Sequence, residues 1–169
     1  MRFEKLTTAF QQAFQDALSL ANTSDNPYVE PAHLLAAMLQ QPDGPRALLD
    51  RAGADSTALA TAMDTAIRNL PQVQGSGQQV QPSRDLLSLL QAAEKEATKR
   101  GDSFVASEMF LLALADSKTD LGGIARGHGL TRKALEAAIE AVRGGAKVDS
   151  AEAEGQREAL KKYTLDLTE

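Results

Sequence analysis

The strongest constraint on this chain is an internal echo: residues 25–39, DNPYVEPAHLLAAML, return in altered form at residues 101–115, GDSFVASEMFLLALA. Phe104 stands 76 positions after Tyr28, and Val105 and Leu111 keep that offset from Val29 and Leu35. In both copies a polar turn leads through an aromatic–Val step to a helix start and an apolar run. Held at the offset of 76, residues 7–69 align with 83–145 without a gap, and ten of the 63 pairs are identical. Identity that sparse carries little weight in an Ala-rich chain. The coincidence of punctuation carries more: Thr7 falls on Ser83 and Asp55 on Thr131, all capping residues, and Gly53 falls on Gly129. The expected fold is all-α, a duplicated four-helix repeat of about eight helices related by a pseudo-twofold axis.

Periodicity places the elements. Leu6, Phe10, Ala13, Phe14, Ala17 and Ala21 recur at spacings of three and four and form one stripe of a first helix, which Thr7 can cap. Pro31 suits the first position of a short second helix with Leu34, Leu35, Met38 and Leu39 inside. A third helix carries Leu48 and Leu49 and ends near Gly53. Asp55 or Ser56 caps a fourth, which Pro71 stops. Residues 71–82, PQVQGSGQQVQP, have no helical period and read as a flexible linker. Ser83 then caps a long helix running to Arg100, with Leu86, Leu89, Leu90, Ala93 and Ala97 on one face and Leu87 off it. Ser107 is the expected cap of the sixth helix, residues 120–128 form a seventh, and Thr131 caps an eighth. The expected domain is 1–145, divided into repeat one (1–70), linker (71–82) and repeat two (83–145). Residues 146–169 read as a polar tail leading away from it.

Composition narrows the function. The chain has no cysteine, which removes disulfides and thiolate chemistry, and its net charge of −5 argues against a nucleic-acid surface. No apolar run reaches the length of a membrane span, and the N-terminus lacks a secretory h-region, so the expected setting is cytoplasmic. No phosphate loop, nucleophile elbow or paired-carboxylate site is present. His33 and His128 stand outside any metal-ligand spacing, His33 reading as a buried helix-start residue and His128 as a helix end. The run EKEATKR at 94–100 alternates charge at helical spacing and reads as a solvated face. No catalytic site, cofactor or metal is therefore expected within this chain, and nothing in it reads as a coiled-coil seam, so a monomer is expected.

With these elements in place, five stretches carry a family resemblance: MRFEKLTTAFQQA, DNPYVEPAHLLAAML, NLPQVQGSGQQVQPSRDLL, KRGDSFVASEMFLLAL and QREALKKYTLDLTE. Through them the chain resembles, from Met1 to Glu169, the N-terminal domain of the bacterial Clp-family disaggregase chaperones. The linker and terminal runs are the ones specific to disaggregases; related unfoldases share the repeat but connect it differently. The resemblance implies a non-catalytic module that recognises unfolded or aggregated polypeptide. The longer protein would be a hexamer whose ATPase modules use ATP and magnesium, with the last run joining this domain to the first of them. It also implies client-handling roles for Thr7, Asp102 and Glu108, and a groove with Leu90 and Met109 as floor, its depth affected by the small Ala92.

Local chemistry alone accounts for each of these residues. Thr7 is a helix cap, Asp102 suits a Gly-Asp-Ser turn, and Glu108 in a first turn is favoured by the helix dipole. Leu90 and Met109 are packed residues by periodicity, although Leu86, Leu87, Leu89 and Leu90 are more leucines than one narrow stripe hides. A methionine beside surplus leucines, rimmed by two acids, would suit an adaptable peptide groove. The alternatives are a docking platform for a folded adaptor and a spacer within the hexamer.

Overall fold

The computed structural model describes residues 2–73 and 79–153. Among these, eight α-helices follow a short 3-10 turn at Phe3–Lys5: α1 (Thr8–Thr23), α2 (Pro31–Leu39), α3 (Pro45–Arg51), α4 (Ser56–Arg68), α5 (Arg84–Arg100), α6 (Ser107–Ala115), α7 (Asp120–Gly127) and α8 (Arg132–Arg143). Two dipeptide strands accompany them, β1 (Tyr28–Val29) and β2 (Gln81–Pro82). The starts of α5, α6 and α8 lie 76 positions after those of α1, α2 and α4, so the duplication read from sequence is also a duplication of elements.

Caps explain where most helices begin. The side chains of Thr7, Asp55, Ser83, Thr119 and Thr131 each accept from a backbone N–H three residues on. Asp55, rather than Ser56, is the cap of α4. The sixth helix departs from expectation: Ala106 is its N-cap, in extended conformation, and Ser107 is already the first helical residue.

The two second helices are the centre of the fold. Every residue of α2 and of α6 is buried, as an apolar helix without a polar face requires. Around them pack α1 and α4 in the first repeat, and α5, α7 and α8 in the second, while α3 reaches across to α6 and α8. Phe10 of α1 and Phe110 of α6 meet edge to face at 6.3 Å, one ring from each repeat.

The repeats also exchange backbone. The segment before α1 pairs with the segment before α6, where Leu6 bridges Val105 in parallel. The segment before α5 pairs with the segment before α2, where β2 runs parallel to β1 with Val29 opposite Pro82. The Thr7 N–H donates to the Val105 carbonyl at 3.1 Å, and its mate, the Ser83 N–H, donates to the Val29 carbonyl at 2.9 Å. The two glycine turns touch as well. At Gly129, where φ is +96°, a Cβ would lie 3.0 Å from the Ala54 Cα, and the adjacent His128 carbonyl accepts from the Asp55 N–H.

The flanks of the linker are ordered: the Pro71 carbonyl accepts from Asn26 Nδ2 and the Val73 N–H donates to the Asp25 carbonyl, while residues 74–78 lie outside the described residues. Packing likewise does not stop at residue 145. Val148 is 2% exposed, and residues 146–151 turn back over the second repeat instead of leading away. The run 154–169, read as a departing tail, lies outside the described residues.

Asn26 also holds His33, which is fully buried at the third position of α2. Its Nδ1 accepts from the Glu30 N–H at 2.9 Å, so the neutral ring carries its proton on Nε2 and donates to Asn26 Oδ1 at 2.8 Å. Burial lowers its pKa from 6.5 to about 4. The unfolded chain therefore takes up a proton that the folded chain refuses across that window, and this site loses stability as pH falls from 6.5 to about 4. Urea unfolding across the window should show that slope in the native chain and a flatter one in His33→Gln. Equal slopes would mean that another group carries the effect.

Candidate functional site: the corner between α5 and α6

The second repeat turns from α5 into α6 through six residues, 101–106. Gly101 ends α5 in left-handed conformation with φ of +78°, a geometry glycine adopts without the usual steric penalty. Asp102 then points inward, its side chain fully buried. Both its oxygens accept from Nη1 of Arg143, at 3.1 and 2.9 Å, and Oδ1 also accepts from the Val148 N–H at 3.0 Å. Glu108, in the first turn of α6, accepts from Nε of the same arginine at 2.9 Å, and its side chain is 3% exposed. One guanidinium thus holds two buried carboxylates, one on each side of the corner.

Thr7 joins this corner from the other repeat. It is fully buried, its hydroxyl caps α1 by accepting from the Phe10 N–H at 3.2 Å, and its own N–H holds Val105. Beside the turn opens a cleft of about 210 Å³ bordered by Lys5, Glu94, Thr98, Asp102 and Ser103. Thr7, Asp102, Glu108 and Met109 are therefore gathered at one corner. Leu90 lies farther up α5, outside that gathering.

An exposed apolar floor is not present in this structure. Leu90 is 7% exposed and Met109 is fully buried, both within the continuous core. Leu86 and Leu89 are buried too, so the surplus of leucines reduces to Leu87, 49% exposed. The stripe hides three of the four because α5 lies against the wholly buried α6, with Ala93 and Ala97 giving close approach. Ala92 is half-buried against the same core. Nor are Asp102 and Glu108 a solvated rim, since their charges face inward onto Arg143.

Arg143 is the residue that the periodicity of α8 does not reveal. Its offset partner is Ile67, a buried residue of α4, and the offset partners of Asp102 and Glu108 are Asn26 and Ala32. An arginine at a position where the other repeat buries isoleucine was the available signal. The solvated-face reading of 94–100 also changes. Arg132 of α8 pairs with Glu96 and, at 2.8 Å, with Asp116 and, at 2.9 Å, with Glu136; Arg100 reaches Glu136 at 3.2 Å. Hydrogen bonds that Arg132 donates to Asp116 and Glu96 raise its pKa further above the ordinary range. Two of the five charged residues of that run, Glu96 and Arg100, thus tie α5 to α8.

The family comparison agrees with this architecture. The Clp repeat (R) N-terminal domain family matches residues 5–128, and the chain belongs to that family. The chaperone protein ClpB of Pseudomonas putida is similar at 43% identity, covering 99% of this chain, and that of Vibrio cholerae at 43%, covering all of it. The match falls on the N-terminal region of those relatives, and the chain spans about a fifth (20%) of their length. Among solved structures, the N-terminal domain of Hsp104 from Candida albicans superposes with a TM-score of 0.76 at 23% identity, covering 88% of this chain and 98% of that one. The N-domain of ClpV from Vibrio cholerae gives 0.71 at 24%, covering 90% of this chain and 89% of that one. These last two likenesses concern the fold. Among the described residues, no group of three His, Asp or Glu could hold a metal ion, and no helix is long and apolar enough to cross a membrane.

Removing the guanidinium leaves two buried carboxylates without their shared cation. Arg143→Met should therefore cost about 3–5 kcal/mol of stability, the range for breaking a buried pair from one side. Ile67→Ala, at the apolar mate, should cost about 2–5 kcal/mol by loss of packing alone. Urea unfolding separates the two: adding Asp102→Asn and Glu108→Gln should recover much of the Arg143→Met deficit and none of the Ile67→Ala deficit. No recovery beside Arg143→Met would deny that the triad is an electrostatic unit.

Proposed function

We propose that this domain recognises polypeptide for an ATP-dependent disaggregase, capturing exposed apolar segments of unfolded or aggregated chains at the α5–α6 corner and delivering them to a hexamer pore. One observation carries the reading. At the offset of 76 the first repeat carries Asn26, Ala32 and Ile67 where the second carries Asp102, Glu108 and Arg143, so the repeated helices form in one copy without these charges. Buried charges that the architecture can do without mark a functional position, because their desolvation is seldom recovered in stability.

In this reading Thr7, Asp102 and Glu108 are positioning residues that hold the corner. Met109 forms the floor at the corner and Leu90, farther up α5, extends it, both reached when α5 and α6 part, while Leu87 offers an exposed apolar contact on the same helix. The flexible thioether of Met109 suits a site meeting many side chains. ATP and magnesium would act in other modules of the longer protein, not at this corner. A second reading, docking of a folded adaptor, is favoured by a neighbour described as a complex of the ClpV N-domain with VipB peptide, which superposes at a TM-score of 0.68 and 22% identity.

Fluorescence anisotropy with a labelled, permanently unfolded polypeptide tests the proposal. Weak, saturable binding that Leu87→Glu and Met109→Ala reduce, with far-UV circular dichroism unchanged, supports capture of apolar segments. Absence of binding by the native chain overturns it, and a stoichiometric complex with one folded partner instead would favour the adaptor reading.

A further inference from the structure

Beyond the corner itself, residues 146–151 lie across it as a strap, irregular through Asp149 and turning at Ser150 and Ala151. The strap begins where α8 ends in the left-handed glycines Gly144 and Gly145. Lys147 extends over Gly101 at the C-terminus of α5, close enough that its Nζ would lie 2.8 Å from a Cβ there; a cation is favoured at that helix end. Val148 then makes the main contact. Its side chain is buried, its N–H donates to Asp102 Oδ1 at 3.0 Å, and its carbonyl accepts from the N–H groups of Ser103 at 2.8 Å and Phe104 at 3.2 Å. Three residues on, the Ala151 carbonyl accepts from the Thr8 N–H at 2.8 Å, one of the orphan donors at the start of α1.

Every polar contact of Val148 is therefore a backbone contact, and the one side chain seated in the corner is a small β-branched apolar group. That recognition is indifferent to sequence except at a single apolar position. The contacts also fall on the turn next to the cleft of about 210 Å³, so a longer extended chain laid in the same place would continue along Ser103 and Thr98.

We propose that the strap is a displaceable internal ligand: residues 146–151 occupy, in cis, a docking strip that takes an extended segment of another polypeptide bearing a Val- or Ile-like side chain. This rests on the capture function proposed above and names how the corner is kept closed. The incoming segment takes over the Ser103 and Phe104 N–H groups, the Asp102 carboxylate and the Val148 socket. An internal competitor lowers apparent affinity by the fraction of molecules in which the strip is open, so loosening the strap must tighten binding.

Two substitutions in the full 169-residue chain loosen it at different points. Thr8→Pro deletes the N–H that holds Ala151; position 8 is the first residue of α1, where proline is accommodated, and Thr7 before it is already extended with ψ of 160°. Val148→Asp empties the socket. The probe is a fluorescent nine-residue peptide of the strap sequence centred on Val148, with a scrambled peptide as control. We expect each variant to bind it about three- to tenfold more tightly than the native chain, with faster amide exchange at Ser103 and Phe104 in the absence of peptide. Unchanged or weaker affinity in both variants, with faster exchange at Ser103 and Phe104, overturns the strap as competitor. If the native chain binds unfolded polypeptide while neither variant gains affinity, only this proposal fails. If neither native chain nor variants bind any polypeptide, the capture function fails with it.

Discussion

The fold depends on a reciprocal exchange of backbone between its two halves. Each repeat leaves the strand before its second helix unpaired within itself and satisfies it with the segment that precedes the other repeat's first helix. The same segments supply Thr7 and Ser83, so one residue both caps a helix and holds the neighbouring repeat by its amide. A four-helix unit of this length would expose the apolar surface of α2 or α6 if it stood alone. Exchange, together with the Phe10–Phe110 contact and the meeting of the two glycine turns, makes one core out of two incomplete ones.

On that symmetric frame the second repeat is chemically distinct. Where the first repeat carries neutral groups at the offset positions, Asn26, Ala32 and Ile67, the second carries Asp102, Glu108 and Arg143. Both corners receive a returning chain at the same place, residues 71–73 in one and 146–148 in the other. The first of these leads back into β2 and is consumed by the fold. The second has no such continuation among the described residues, which leaves its strap held by a few backbone bonds and one valine. The asymmetry puts buried charge, a covering segment and an adjoining cleft at a single corner.

Much of this was legible in the sequence, for stated reasons. Helix periodicity and capping residues located the eight helices, since both act within a few residues. The family membership rests on runs that include the repeat and the linker. The corner was legible only as a set of residue numbers. Their burial was not, because Arg143 is brought to Asp102 and Glu108 by packing across 41 and 35 positions, a separation that no local pattern encodes. The strap was missed for a similar reason: AKVDSA is polar by composition, and only its three-dimensional neighbours make Val148 a buried residue. Ser107 was misread by one position because a serine at the first helical residue and a serine at the cap look alike in sequence.

The central claim is that client capture belongs to the second corner and not to its mate in the first repeat. Backbone amide shifts of the isotopically labelled chain, titrated with an unfolded polypeptide, test it directly. The account predicts shifts concentrated at residues 101–109 and 146–151, with residues 25–33 and 71–73 left in place. Equal shifts at both corners, or shifts on other faces alone, would contradict it.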